Sequence, residues 1–252
     1  MTIRILHRNS LEYMDEDEND MCYDLVFADV PYPGMKIHDG SSVKLSDDQW
    51  FKTYKDLPKL VDQVLVPSGV FAMLLNSKQS CRFQYDVVQF VEKTSSLRLI
   101  DQLIWLKPSV IPSKRGKGTH KFRQMFDPVL IFTNDVCNFT FNAEQMSNED
   151  CKRMNGTSSL HVNVVRASSG HDPAYVAATE KVGYDHKGRC PQTLVEYLVT
   201  LYTHPGDWVY DPFMGSGTTA AACKKLDRHC IGTDINPQNV ALAKAYIANI
   251  KS

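Results

Sequence analysis

Apolar residues fall along this chain in blocks of two alternating kinds. One kind is a short continuous run: Tyr23–Ala28 (YDLVFA), Gly69–Leu75 (GVFAMLL), Leu99–Leu106, Val129–Thr133, Trp208–Tyr210 and Cys230–Thr233. Such runs predict strands buried on both faces. The other kind has helical spacing. In 46–65, Ser46 and the acids after it form a helix start, and Trp50, Tyr54, Leu57, Val61 and Val64 recur along one face. Pro58 should kink or split that helix. Further helices are expected at Phe83–Val91, Pro191–Thr203, Thr218–Leu226 and Val240–Ile250. Residues 107–124 (KPSVIPSKRGKGTHKFRQ) read as a long loop, and 134–185 show no clean period and read as a low-order insertion. Strands alternating with helices predict an α/β fold whose mostly parallel sheet is covered on both faces. Residues 1–252 are read as one domain.

Composition narrows the function classes. The chain has 252 residues, 43% apolar and 23% charged, which is ordinary globular usage. No apolar run reaches the ~20 residues of a membrane span. The N-terminal stretch turns acidic at once, unlike a signal peptide. With 28 basic and 29 acidic residues, a globally basic nucleic-acid binder is excluded, although a local basic surface is not. The seven cysteines include no C-x-x-C pair, which argues against a zinc ribbon or a disulfide framework and for a reducing, intracellular setting.

The sharpest motif is DWVYDPFMGSGTT at 207–219, a strand ending in Asp211 followed by a Gly-rich turn and a helix start at Thr218. In a doubly wound sheet ligands bind at such carboxyl ends of strands. Gly215 and Gly217 let the backbone approach a ligand closely. The next strand, HCIGTD, ends in Asp234, where a carboxylate can accept ribose hydroxyls. Intact, this string resembles the cofactor motif of S-adenosylmethionine-dependent DNA amino-methyltransferases, written Asp-Pro-Phe-x-Gly-Ser-Gly-Thr-Thr. The resemblance implies that Asp211, Pro212, Phe213, Gly215, Ser216, Gly217, Thr218, Asp234 and Asn236 bind S-adenosylmethionine. His186 and Pro191 match the family's lead-in to a helix beside the cofactor, while Cys190 stands where Lys is common.

Residues 29–32, DVPY, follow the run YDLVFA. In the resembled family this place holds Asp-Pro-Pro-Tyr or a variant and forms the pocket for an exocyclic amino group. That nitrogen is a poor nucleophile because its lone pair is delocalised into the base. Two acceptors, one on each amino hydrogen, free the lone pair for attack on a sulfonium methyl. Asp29 and a turn carbonyl, that of Val30, are the expected acceptors, and Tyr32 the stacking platform. Val30 replaces the family's Pro; Pro31 after it still restricts residue 30 to extended conformations, so the turn should be kept. A catalytically inactive DNA- or RNA-binding subunit is the alternative reading.

The resemblance extends further. With DVPY first and DPFMGSGTT last, the motif order is that of the circularly permuted β subgroup, which implies a Rossmann-like methyltransferase fold with a mostly parallel seven-stranded sheet. Asp29 and Asp211 should then end adjacent strands and face one cleft. ILHRNSLEYM, IWLKP and DPVLIFT also look like family segments. Between the last two, Lys114, Arg115, Lys117, Lys121 and Arg123 form a basic loop without acids. Such a loop can grip DNA phosphates. Residues 134–185 stand where the family keeps its target-recognition region. The reading is a site-specific DNA methyltransferase acting on adenine N6 or cytosine N4, with Asp29 leaning toward adenine. RNA remains an alternative substrate, and a homodimer is consistent with the subgroup. The reaction requires no metal, and the scattered histidines offer no site for one.

Overall fold

In the computed structural model, the described residues are 1–16, 22–33, 45–76, 81–107, 125–145, 163–168, 172–186 and 188–250. The apolar runs become strands of one sheet: β1 (Ile3–His7), β2 (Tyr23–Asp29), β3 (Leu65–Leu74), β4 (Arg98–Leu106), β5 (Phe126–Thr133), β6 (Val164–Arg166), β7 (Trp208–Asp211) and β8 (His229–Asp234). Their order is β1-β8-β7-β2-β3-β5-β4-β6. All neighbours run parallel except at β5, which is antiparallel to both β3 and β4.

The helices are α1 (Ser10–Met14), α2 (Asp47–Thr53), α3 (Leu57–Val64), α4 (Cys81–Thr94), α5 (Pro173–Val182), α6 (Gln192–Tyr202), α7 (Thr218–Lys225) and α8 (Pro237–Asn249). Ser46 starts α2 with a reciprocal cap: its hydroxyl accepts from Gln49 N at 3.3 Å, and the Gln49 side chain accepts from Ser46 N at 2.9 Å. Pro58 splits 46–65 into two helices. It sits in the first turn of α3, where its missing N–H leaves no helical bond unmade.

Strand alternation feeds two apolar layers. Along β2, Leu25 and Phe27 pack with Leu194, Val195 and Leu198 of α6. Val26 and Ala28 enter the opposite layer with Leu60 and Val61 of α3 and Val87 and Val91 of α4. Central strands such as β3 bury residues on both faces, each large side chain contributing roughly 1.5–3 kcal/mol of transfer free energy.

Two expectations need correction. Among the described residues the sheet has eight strands, not seven. The additional one, β6, pairs parallel with Ile104–Leu106 of β4 and lies inside the segment read as low-order. That segment also contains α5. Asp172 caps α5 by accepting from Ala174 N and Tyr175 N, and Gly183 ends it at φ +69°. Its contact face is short, with Tyr175 and Ala178 buried, so no long apolar period betrays it. It packs on α8, Tyr175 meeting Tyr246 edge-on at 5.4 Å, while Tyr246 Oη donates to Asp172 at 2.5 Å. Among the described residues no helix is long and apolar enough to cross a membrane.

Candidate active site

Parallel pairing sets the site. β7 lies between β2 and β8, with Val26 beside Tyr210 and Asp211 beside Gly232. The carboxyl ends of the three strands therefore share one edge, and each ends in an acid: Asp29, Asp211 and Asp234. The acids of the two motifs end adjacent strands.

Asp211 is buried and ties its own turn together. One oxygen accepts from Phe213 N at 3.0 Å, and the other from the Thr219 hydroxyl at 2.5 Å. Burial pushes its carboxyl up to about 7 against these two donors, and the charge of Asp234 adds to the rise. Gly215 and Gly217 have φ of +52° and +86°, a region that disfavours side chains. A Cβ on Gly217 would lie 2.8 Å from that of Ala243 on α8, so this turn sits directly on its helix. Pro212, Ser216 and Thr218 are buried within the turn. Phe213 is half-buried, edge-on to Tyr54 at 5.6 Å.

Asp234 accepts from Gly215 N at 2.9 Å, Asn236 N at 2.7 Å and Asn239 Nδ2 at 3.2 and 3.1 Å. Burial nevertheless holds its carboxyl above the ordinary range. The Asn236 side chain caps α8, accepting from Gln238 N at 2.9 Å. His186 lies against Gly215, its Nδ1 3.0 Å from Asn239 Oδ1. Ile235, next to Asp234, is 59% exposed, an apolar surface at the rim of the turn.

At the end of β2 the surroundings differ. Asp29 keeps part of its surface open at the end of the buried strand β2. Its carboxyl is pushed up to about 7 by burial first, then by Asp211 and Asp127, while Lys107 opposes the rise. The Val30 side chain is buried in the layer with α3 and α4, so the replacement of Pro is absorbed by the core. The Pro31 carbonyl accepts from Trp50 Nε1 at 2.7 Å, which anchors the turn. Tyr32 is half-buried, and its hydroxyl is raised by burial, with Asp29 and Asp127 adding.

Several contributors escaped the sequence reading. The helical spacing shows Trp50 only as part of an apolar face, not as the donor to Pro31. Asp127, the second residue of β5, lies opposite Trp105 and pairs with Lys107 Nζ at 2.5 Å; Lys107 also lies 5.1 Å from the Trp105 ring centroid. Cys190 is buried, and its thiol is raised by burial first and then by the charges of Asp29, Asp211 and Asp127. Only the segments IWLKP and DPVLIFT hinted at the Lys107–Asp127 pair. Pro191 is the N-cap of α6. Lys114, Arg115, Lys117, Lys121 and Arg123 lie outside the described residues.

The arrangement fits S-adenosylmethionine chemically. The nucleoside can take the rim of the glycine turn, the Asp234 carboxylate and the exposed Ile235 surface. The positive sulfonium suits an edge carrying Asp29 and Asp211. Among the described residues no cluster of metal-ligating side chains is found.

Comparison with known proteins agrees. The chain is 26% identical over 251 residues to the type II methyltransferase M.HpaI of Haemophilus parainfluenzae, covering 97% of this chain and 74% of that one. Its fold is similar to that of the cytosine-N4-specific PvuII DNA methyltransferase (TM-score 0.77, 19% identity, 98% and 86% of the two chains covered). It is also similar to the M1.HpyAVI–SAM complex (TM-score 0.66, 20% identity, 98% and 100% covered). The DNA methylase family profile matches residues 23–245, and the chain therefore belongs to that family of S-adenosylmethionine-dependent DNA amino-methyltransferases, which act on adenine N6 or cytosine N4.

Proposed function

We propose that this methyltransferase acts on adenine N6, with Asp29 and the Val30 carbonyl as the two acceptors of the amino hydrogens. The observation that carries the methyl-transfer reading is the placement of Asp29 and Asp211 at the ends of adjacent parallel strands, β2 and β7; Asp as the first residue of DVPY leans it toward adenine. The cofactor supplies an electrophilic methyl group on a positive sulfur. Asp29, ionised, accepts one amino hydrogen and holds the nitrogen lone pair toward that methyl. The Val30 carbonyl accepts the other. Trp50 fixes the turn through Pro31, which keeps both acceptors in place. Tyr32 stacks on the base. Once the methyl has moved, the amino nitrogen is positive and sheds a proton, which Asp29 is placed to take.

Within a duplex the amino group is paired and stacked, so the base is flipped out at a cost of a few kcal/mol. Lys114, Arg115, Lys117, Lys121 and Arg123 hold the phosphates. Target reading falls to the part of 134–185 that precedes α5, because α5 itself is packed on α8. Val30 supports turnover over an inactive binding role, since a carbonyl is kept and the side chain is accommodated in the core.

The test is methyl transfer from labelled S-adenosylmethionine to DNA and RNA, with nucleoside analysis of the product. N6-methyladenine in DNA is the expected result. N4-methylcytosine would reassign the base, label in RNA alone would reassign the polymer, and DNA binding without transfer would make the chain a binding subunit.

A further inference from the structure

Asn239 has no part in the function proposed above, yet its side chain touches both Asp234 and His186. It lies in the first turn of α8 and is 5% exposed. Its Nδ2 donates to both oxygens of Asp234, at 3.2 and 3.1 Å. An ionised carboxylate only accepts, so the amide turns its nitrogen to Asp234 and its oxygen away. That oxygen accepts from the Tyr184 hydroxyl at 3.0 Å and lies 3.0 Å from His186 Nδ1. The amide orientation therefore sets the tautomer: His186 carries a proton on Nδ1 and donates it. The far side of the imidazole rests on Gly215, where a Cβ would come within 3.1 Å of Nε2. One amide thus joins α8, the end of β8, the 184–186 segment and the glycine turn.

We infer that Asn239 is a positioning residue of the cofactor site, holding Asp234 in the rotamer that meets the ribose and His186 in place over the glycine turn. The inference rests on the reading of Asp234 as the ribose acceptor. Each Asp234 oxygen has a short backbone donor, Asn236 N at 2.7 Å or Gly215 N at 2.9 Å, and shares the longer amide contact. An arriving hydroxyl can take over one amide contact while the backbone donors keep the carboxylate aimed. Order set before binding does not have to be created during it.

Equilibrium binding of S-adenosylmethionine to the intact protein tests this by calorimetry at pH 5.5 and 8. Asn239→Leu, similar in size, should weaken binding about tenfold at both pH values, the equivalent of one or two lost polar contacts. Asn239→Asp sets a second carboxylate against Asp234, in a region also facing Tyr184, Asp185, His186 and, across the turn, Asp211. Its binding should be weakest at pH 8 and recover at pH 5.5, where one proton can be shared between the two acids. Packing loss alone would give no such recovery. Tyr184→Phe, on the half-buried segment, should weaken binding two- to threefold, and it serves if the buried variants fail to fold. Wild-type affinity in both Asn239→Leu and Tyr184→Phe, or an Asn239→Asp variant that follows the wild type at both pH values, would overturn the inference alone. A wild-type protein that does not bind the cofactor would overturn the reading beneath it as well.

Discussion

The two halves of the active edge are built in opposite ways. At β7 the acid is committed to its own turn: Asp211 accepts from Phe213 and Thr219, two and eight positions on in sequence. The turn is buried and rests on α8. At β2 the acid stays partly open, and its environment comes from distant strands and helices. Trp50 arrives from α2, Asp127 from β5, and Lys107 from just beyond β4. A carboxylate that organises a loop can be saturated with donors. One proposed to accept a hydrogen from an incoming base has to keep capacity; burial raises both acids to about 7, so the halves differ in their hydrogen-bond partners and not in their pKa.

The comparison can be broken first at the two acids. Asp29→Ala should lower methyl transfer about 10²–10³-fold, the usual cost of one well-placed polar group in a transition state. The affinity for S-adenosylmethionine should fall far less. Asp234→Ala should show the reverse bias. Equal effects on cofactor affinity would erase the division between the halves.

Trp50→Phe keeps a ring in the core but removes the donor to the Pro31 carbonyl. Losing one buried hydrogen bond costs about 1 kcal/mol, so turnover should fall about fivefold with cofactor binding unchanged. A change in cofactor affinity instead would show that the β2 turn is braced through the cofactor loop.

Rate against pH sharpens the picture. Asp29 must be ionised to accept, and its pKa is raised to about 7, so turnover should rise through neutrality. Asp127 is one cause of that rise. Asp127→Asn removes the charge and leaves Lys107 to act on Asp29, so the acidic limb should move to lower pH. A limb that stays put or moves up would separate the Lys107–Asp127 pair from the catalytic acid.

The smallest effect is on stability. In the unfolded chain Asp29 titrates near 3.8, and in the folded protein near 7. Between those values the folded state binds more protons, so stability falls as pH rises through that window. Below 3.8 the penalty is absent, and above 7 it is complete. Asp29→Asn should therefore raise the melting temperature at pH 8 by about 2–4 °C and have little effect at pH 4. A gain of equal size at both pH values would assign the effect to packing.

Much of this was legible in local patterns. The apolar runs mark the central strands because residues buried on both faces must be apolar. Pro58 divides its helix through the constraint of its own ring. The DPFMGSGTT turn closes on itself through bonds between residues near in sequence, so its shape travels with its string. Helix α5 went unread because its contact face is short and includes a small residue, although its cap at Asp172 and its stop at Gly183 were both present.

The amino-acid order alone therefore determined which segments become strands, where the glycine turn lies and that an acid ends each of β2, β7 and β8. Tertiary structure alone decided that β5 runs antiparallel, that Lys107 and Asp127 form a pair whose charges act on Asp29, that Cys190 is buried, and that Asn239 joins Asp234 to His186. Local preferences act over a turn or a strand, whereas these contacts exist only after the sheet has brought remote segments to one edge. The burial that drives that assembly is non-directional and leaves no mark at any single position.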